Sequence, residues 1–146
     1  MLTDLRRLFP GLQSSAYQRT SPPTSDYNCI AWAAGDYRQW WEPDPYNLMY
    51  WPEGVPRQAS MSAYVAAFAA VGYERCQDGN FEAGIEKVAI YSTKGVPLHA
   101  ARQLESGLWT SKLGELDDIS HSLEALEGQR YGKPTQFLRR KIVSEI

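Results

Sequence analysis

The chain contains the stretch Asp26-Tyr27-Asn28-Cys29-Ile30-Ala31-Trp32-Ala33-Ala34-Gly35-Asp36, on which the fold depends. Asp26 is a residue type that caps helix N-termini, and Gly35 is a residue type that ends helices. The run from Cys29 to Ala34 between them is apolar, as in a helix that is buried in a core. The stretch therefore predicts a buried helix that carries a cysteine in its first turn.

Cys29 is a candidate nucleophile because of this place in the helix. The first turn offers unpaired backbone N–H groups and the positive end of the helix dipole, both of which favour ionisation of a thiol. The backbone N–H of Cys29 could also hold an oxyanion. The simpler interpretation is a small core residue, since free cysteines are among the most buried residue types. For Cys76 we expect only that structural role.

The composition bounds the classes of protein to which the chain can belong. Its 146 residues, 43% hydrophobic, indicate one domain spanning 1–146, and a net charge of −2 provides no basic face for nucleic acid. Two cysteines and two histidines predict neither a disulfide framework nor a metal site, and we expect no cofactor. The sequence lacks a Sec-type signal and any membrane span, so a cytoplasmic location is expected by default, with export as an effector left open.

The order of predicted elements indicates an α+β domain, with helices first and an antiparallel sheet after them. Residues 1–25 are an irregular lead-in apart from a short helix at 2–9, and residues 37–57 are a long aromatic loop. Ser60 is expected to cap the helix that follows. The remaining elements are a helix at 61–71, strands at 73–76, 87–91, 99–104, 108–112 and 135–143, a polar connector at 113–120, and a short helix at 121–126.

His99 is the candidate base for the cysteine. It heads a predicted strand, and the small residues that follow it leave room for a partner. A thiolate–imidazolium pair is the expected result, with a lowered cysteine pKa. A third group must orient the imidazole, and a turn near 105–107 would bring Ser111 beside His99. Other candidates for that role are Thr110, Glu115, Asp117 and His121.

The aromatic loop is the candidate substrate surface. Trp40, Trp41 and Trp51 could line a groove, with Asp26 and Asn28 at its end near the cysteine, or the loop could bind a protein partner. The simpler interpretation is a second small core beneath a long loop. Arg102 and Lys112 could hold a carboxylate, although charged residues on strands are more often merely solvated.

Three features, in this order, resemble the papain-like cysteine peptidase and amidase fold: a polar residue before a cysteine at a helix start, a strand that opens on histidine, and a polar residue on the next strand. The spacing from His99 to Ser111 is similar to the NlpC type of bacterial cell-wall amidase and endopeptidase. The resemblance covers 26–36 and 86–113. Ser111 departs from the usual His, Asn or Gln, and the segment 37–57 has no counterpart in that family.

The resemblance implies a cysteine hydrolase that cleaves an amide or isopeptide bond, in cell-wall peptides or protein conjugates. Cys29 would be the nucleophile, His99 the base and Ser111 the third residue, and an acyl transferase would use the same groups. The alternative is an inactive binding or adaptor module that uses the segment 37–57. The whole chain also resembles a bacterial family with blocks like Tyr27–Ala33 and Trp109–Gly114, from which no activity carries over.

Overall fold

A computed structural model describes residues 4–13 and 17–142 of the chain. Its largest element is a seven-stranded antiparallel sheet, in the strand order β1-β6-β5-β4-β3-β7-β2. The strands are β1 (Tyr17–Ser21), β2 (Glu74–Cys76), β3 (Ile85–Thr93), β4 (Val96–Gln103), β5 (Trp109–Lys112), β6 (Asp118–His121) and β7 (Lys133–Lys141). The helices are α1 (Leu5–Leu8), α2 (Cys29–Ala34) and α3 (Met61–Ala69), with 3-10 turns at Pro10–Gln13 and Leu123–Leu126.

The prediction of a helix-rich, papain-like α+β fold is wrong. Within the described ranges the α-helices are three and short, and the sheet has seven strands. Two of its strands lie in segments that the sequence predicted to be irregular. Strand β1 lies in the lead-in 1–25, and β6 lies at the end of the polar connector 113–120 and includes His121, which was assigned to a helix. The beginning of the lead-in, at 1–3, and the end of the predicted last strand, at 143, lie outside the described residues.

Strand β6 escaped prediction because its sequence, Asp118-Ile119-Ser120-His121, is polar although all four residues are buried. Sequence patterns identify strands by apolar alternation. Here hydrogen bonds compensate for the burial of the polar groups instead, as when the Tyr27 hydroxyl donates to Asp118 at 2.6 Å. A buried polar strand therefore lies between the edge strand β1 and β5, next to the candidate residue Ser111.

The sheet packs a core on each of its faces. One core holds α2, α3 and the buried parts of the loop 37–57 against β3 and β4. The other core holds α1 and the two 3-10 turns against the opposite face. Because neighbouring residues of a strand point to opposite faces, β4 contributes Ala100 to the first core and Ala101 to the second.

Helix α2 has the predicted place and bounds, but its cap is Asn28 and not Asp26. The Asn28 side-chain oxygen accepts from the backbone N–H of Ala31 and from that of Trp41, and its amide nitrogen donates to the carbonyl of Trp41. Asp26 is exposed. Asn28 thus starts the helix and also fixes the aromatic loop, in which the described structure has neither a helix nor a strand between α2 and α3.

Replacing Asn28 with alanine is expected to lower the free energy of unfolding by about 2–4 kcal/mol, since it removes a cap and leaves two buried backbone groups of Trp41 unpaired. Ser60→Ala is the matched control, because Ser60 caps α3 through one bond to Ala63 and serves no loop. Its expected cost is about 1 kcal/mol. Urea unfolding of both variants measures the difference. Equal losses of unfolding free energy would contradict the role of Asn28 in fixing the aromatic loop.

Candidate active site

Three predicted residues meet on the face of the sheet opposite α2. His99 Nε2 lies 2.9 Å from the Ser111 hydroxyl, and the same hydroxyl lies 2.7 Å from His121 Nε2. The register explains the meeting, because β4 and β5 pair at Arg102–Thr110, which sets Ser111 diagonally across from His99. Ser111 therefore contacts His99, as the predicted spacing required.

Both imidazoles are fully buried, and burial keeps them neutral. It holds the pKa of His99 well below its ordinary value and lowers the pKa of His121 to about 4. The second nitrogen of His121, Nδ1, lies 2.6 Å from the backbone carbonyl of Ser122. His121 thus has a partner at each nitrogen, whereas His99 does not.

His99 Nδ1 is buried and has no hydrogen-bond partner in the part of the chain that the structure describes. The Tyr131 ring stacks on the His99 ring at 4.0 Å, with an angle of 7° between the planes, and Tyr91 contacts it edge-on. The imidazole is therefore held in place while one nitrogen remains available. A buried polar atom without a partner costs stability, so native structures keep few of them, often at functional sites.

The Cys29 sulfur approaches the same strand from the other face. Cys29 is the first residue of α2 and remains partly exposed, and the backbone N–H of Ala100, the residue next to His99, acts to lower the pKa of its thiol. This N–H is not used by β5, because β4 and β5 pair only from Arg102 onward. The thiol therefore lies where the two strands separate.

Tyr131 connects the cysteine to the histidine. Its ring stacks on His99, and it lies close enough to Cys29 for a charge on the sulfur to contribute, after burial, to the raised pKa of Tyr131. Cys29 and His99 are thus neighbours of one tyrosine. The thiol and the imidazole lie on opposite faces of β4, and Tyr131 is near both of them.

The cysteine is a thiol at rest, in contrast to the predicted thiolate–imidazolium pair. Burial raises the pKa of Cys29 to about 11, although backbone N–H groups of Ala100, Ile30 and Cys29 itself favour the thiolate and oppose that rise. The effect of burial is the larger of the two. Cys29 and His99 are therefore both uncharged at neutral pH.

Neighbouring polar contacts fix α2 against β5. The Trp32 indole donates to the Thr110 hydroxyl at 3.1 Å, and the Arg102 guanidinium lies over the Trp32 ring at 5.7 Å. Lys112, which is fully buried, donates to the Leu116 carbonyl and lies over the Tyr27 ring. Arg102 and Lys112 therefore have contacts within the fold, and burial lowers the pKa of Lys112.

The residues predicted to bind substrate occupy different environments. Trp41 and Trp51 are buried in the core with their rings covered, and Asn28 is engaged by the backbone of Trp41. Trp40 is half-buried, with its indole bonded to the Ser25 carbonyl, and Asp26 is exposed. The buried part of the loop thus belongs to the core around α2 and α3 and forms neither the predicted groove nor a separate small core, and the aromatic side chains that reach the surface are others, such as Tyr46.

The other candidates for the third residue also lie in different environments. Thr110 holds Trp32 on the opposite face, Glu115 is exposed, and Asp117 pairs with Arg19 at 3.3 Å. His121 alone of these alternatives joins the site, behind Ser111. Sequence reasoning offered His121 as a substitute for Ser111, and missed that the two residues act in series. It also missed Tyr131, which no motif marks.

In the ranges 4–13 and 17–142, no three His, Cys, Asp or Glu side chains are grouped so that they could hold a metal ion. Within those same ranges, every helix is too short or too polar to cross a membrane.

Comparison with known proteins places the chain in a family. No curated protein and no solved structure matches it. A family described as a domain of unknown function, DUF7689, matches residues 18–139, which include every residue of the site described above. By this match, which covers most of its length, the chain belongs to the DUF7689 family.

Proposed function

We propose that the protein is a cysteine hydrolase that cleaves an amide or isopeptide bond, with Cys29 as nucleophile and His99 as general base. One observation carries this proposal: His99 is held by Ser111 and Tyr131, yet its buried Nδ1 has no partner among the described residues, and the Cys29 sulfur lies at the adjacent Ala100 N–H. A buried base with one nitrogen fixed and the other without a partner is suited to take the proton of a nucleophilic thiol.

The reaction follows from the neutral resting state. The Cys29 sulfur attacks the carbonyl carbon while its proton passes to His99 Nδ1, and the carbonyl oxygen becomes an oxyanion near the helix N-terminus. The C–N bond then breaks, and the leaving amine takes the proton from His99. Water attacks the resulting thioester with His99 again accepting a proton, which releases the acid and restores the thiol. An amine in place of water would give transfer instead of hydrolysis.

An apolar cavity of about 420 Å³ lies on the side of α3 that shares a core with Cys29. Tyr64 forms part of its wall and belongs to that core, and the cavity also includes Tyr46, Leu48 and Met49. Glu42 contributes a carboxylate at the same cavity. The cavity suits the apolar part of a peptide substrate, as in cell-wall peptides or protein conjugates.

The proposal is tested with p-nitrophenyl acetate as a generic acyl donor at neutral pH. The expected result is a burst of p-nitrophenolate equal to the amount of enzyme, with one acetyl group on the Cys29 peptide. Cys29→Ala should abolish the burst, and Cys76→Ala, which removes the distant thiol, should leave it unchanged. A burst that persists in Cys29→Ala, or a parent protein that never acquires an acetyl group at Cys29, would overturn the proposal.

A second candidate function is protein binding through the tip of the aromatic loop, because Tyr46 and Leu48 are 80% and 78% exposed. This tip is rigid: the Asp44 carboxylate accepts from the backbone N–H groups of Tyr46, Leu48 and Met49, and it pairs with Arg57 at 3.0 Å. An ordered apolar tip is typical of a contact surface. This function needs no reactive Cys29, so the acetylation experiment separates the two candidates.

A further inference from the structure

We infer that His121 and the backbone carbonyl of Ser122 are a positioning pair, which fixes the proton of His99 on Nε2 and leaves a lone pair on His99 Nδ1. The inference deepens the proposed function, since it explains how the free nitrogen of His99 becomes a base and not a donor. It follows from which group donates and which accepts in each hydrogen bond of the series that links His99, Ser111, His121 and the Ser122 carbonyl.

The hydrogen bond between His121 and the Ser122 carbonyl fixes the donor and acceptor roles in the rest of the series. A carbonyl oxygen only accepts, so the 2.6 Å contact between the Ser122 carbonyl and His121 requires a proton on His121 Nδ1. His121 is fully buried and neutral, so its other nitrogen, Nε2, has no proton and can only accept.

The roles at His121 in turn determine those at Ser111. Its hydroxyl proton must point to His121 Nε2, at 2.7 Å, because that nitrogen can only accept. The Ser111 oxygen is left as the acceptor for His99, so the 2.9 Å contact carries a proton on His99 Nε2. A neutral imidazole has one N–H, and His99 Nδ1 therefore bears the lone pair that the reaction uses.

This arrangement gives a physical reason for a serine as the third residue. A hydroxyl donates and accepts at once, so Ser111 transmits the direction set by His121, which a carboxylate could not do. The opposite direction would place a lone pair of His121 Nδ1 against the Ser122 carbonyl at 2.6 Å, and two acceptors at that distance repel.

Long-range ¹⁵N–¹H NMR of the uniformly ¹⁵N-labelled protein at pH 7 tests the inference. The chain has only two histidines, so each ring can be assigned through a variant that lacks the other. The expected result is Nε2–H at His99 and Nδ1–H at His121. The His121 result is the more demanding of the two, since a free imidazole favours Nε2–H. His99 with its proton on Nδ1, or His121 with its proton on Nε2, would overturn the inference.

Two substitutions of His121 extend the test. His121→Gln can present an oxygen acceptor to Ser111, and His121→Leu cannot. In the leucine variant the hydroxyl is free to donate to His99, so the Nδ1–H form of His99 should rise at least about fivefold relative to the glutamine variant. Acetylation of Cys29 should slow in the leucine variant and recover in the glutamine variant.

Equal tautomer ratios in the two variants would count against the positioning role of His121. The NMR result also separates this inference from the proposed function. The expected tautomers without a burst would refute the hydrolase and keep the proton assignment, whereas a burst with the opposite tautomers would do the reverse.

Discussion

Lowering the pH from 7 to 5 is expected to destabilise the fold steeply, because two buried imidazoles must remain neutral in it. His99 and His121 are both fully buried, with the pKa of His121 lowered to about 4 and that of His99 held well below its ordinary value. In the unfolded chain each histidine binds a proton near pH 6.5. Between these values the unfolded state holds more protons than the folded state, so acid favours unfolding.

The size of the stability loss follows from the difference between the folded-state and unfolded-state pKa values of the two histidines. The stability that depends on a neutral His121 is fully present above about pH 6.5 and is lost progressively as the pH falls to about 4, a loss of about 3 kcal/mol. His99 adds a further loss in the same direction. With both histidines contributing, the slope approaches about 2.7 kcal/mol per pH unit. A change of that size over one pH unit is a large part of the 5–15 kcal/mol by which a typical domain is stable.

Urea unfolding at intervals from pH 8 to pH 5 measures this slope, in a range where carboxyl groups contribute little. His121→Gln is the matched variant, because it removes one of the two protons and should reduce the slope to about half. A free energy of unfolding that stays constant from pH 7 to pH 5 would mean that the imidazoles are solvated, and would contradict the buried pair.

Much of the site was predictable from the sequence because it depends on local spacing. The cysteine helix follows from an apolar run that a glycine ends, and α2 has those bounds. The His99–Ser111 contact follows from a hairpin turn near Ser106, because the turn sets the register between β4 and β5. Features within about a dozen residues of each other were therefore within reach of pattern reasoning.

The fold class was not predictable in this way, because polar strands complete the sheet. Strand β6 presents Asp118, Ser120 and His121 to the interior, and Asp118 and His121 have side-chain partners that lie far along the chain or on another strand. Strand β1 pairs with β6 across about a hundred residues. Hydrophobic periodicity reports neither pairing. The resemblance to a papain-like fold rested on the order of three residues, which does not determine how many strands surround them.

The protonation state of Cys29 was also not predictable from the sequence. A helix N-terminus favours a thiolate, but burial opposes it, and only the three-dimensional packing determines which effect is larger. Tyr131 contributes similarly, since it reaches His99 from a turn closed by hydrogen bonds between Gly128 and Gly132. Such contacts between distant segments have no signature in a single sequence.

Replacing His99 with glutamine is expected to slow alkylation of Cys29 at pH 6 by about a hundredfold or more, the usual contribution of a positioned general base. Glutamine keeps a polar group near Ser111 but cannot take the thiol proton. In that variant the rate should rise about tenfold per pH unit toward the thiol pKa of about 11, because it then depends on the thiolate alone. The parent protein should show a shallower dependence.

Cys76 provides the internal reference for this experiment. It is half-buried, its sulfur donates to the Asp78 carbonyl at 3.5 Å, and burial raises its pKa. It takes part in none of the contacts of the site.

The most direct test of the central claim is competitive iodoacetamide labelling at pH 6, with the carbamidomethylated Cys29 and Cys76 peptides quantified by mass spectrometry from the same sample. We predict that Cys29 labels faster than Cys76 in the parent protein, and that the Cys29-to-Cys76 ratio falls about a hundredfold in His99→Gln. A parent protein in which Cys29 labels more slowly than Cys76, or a ratio that His99→Gln leaves unchanged, would contradict the account.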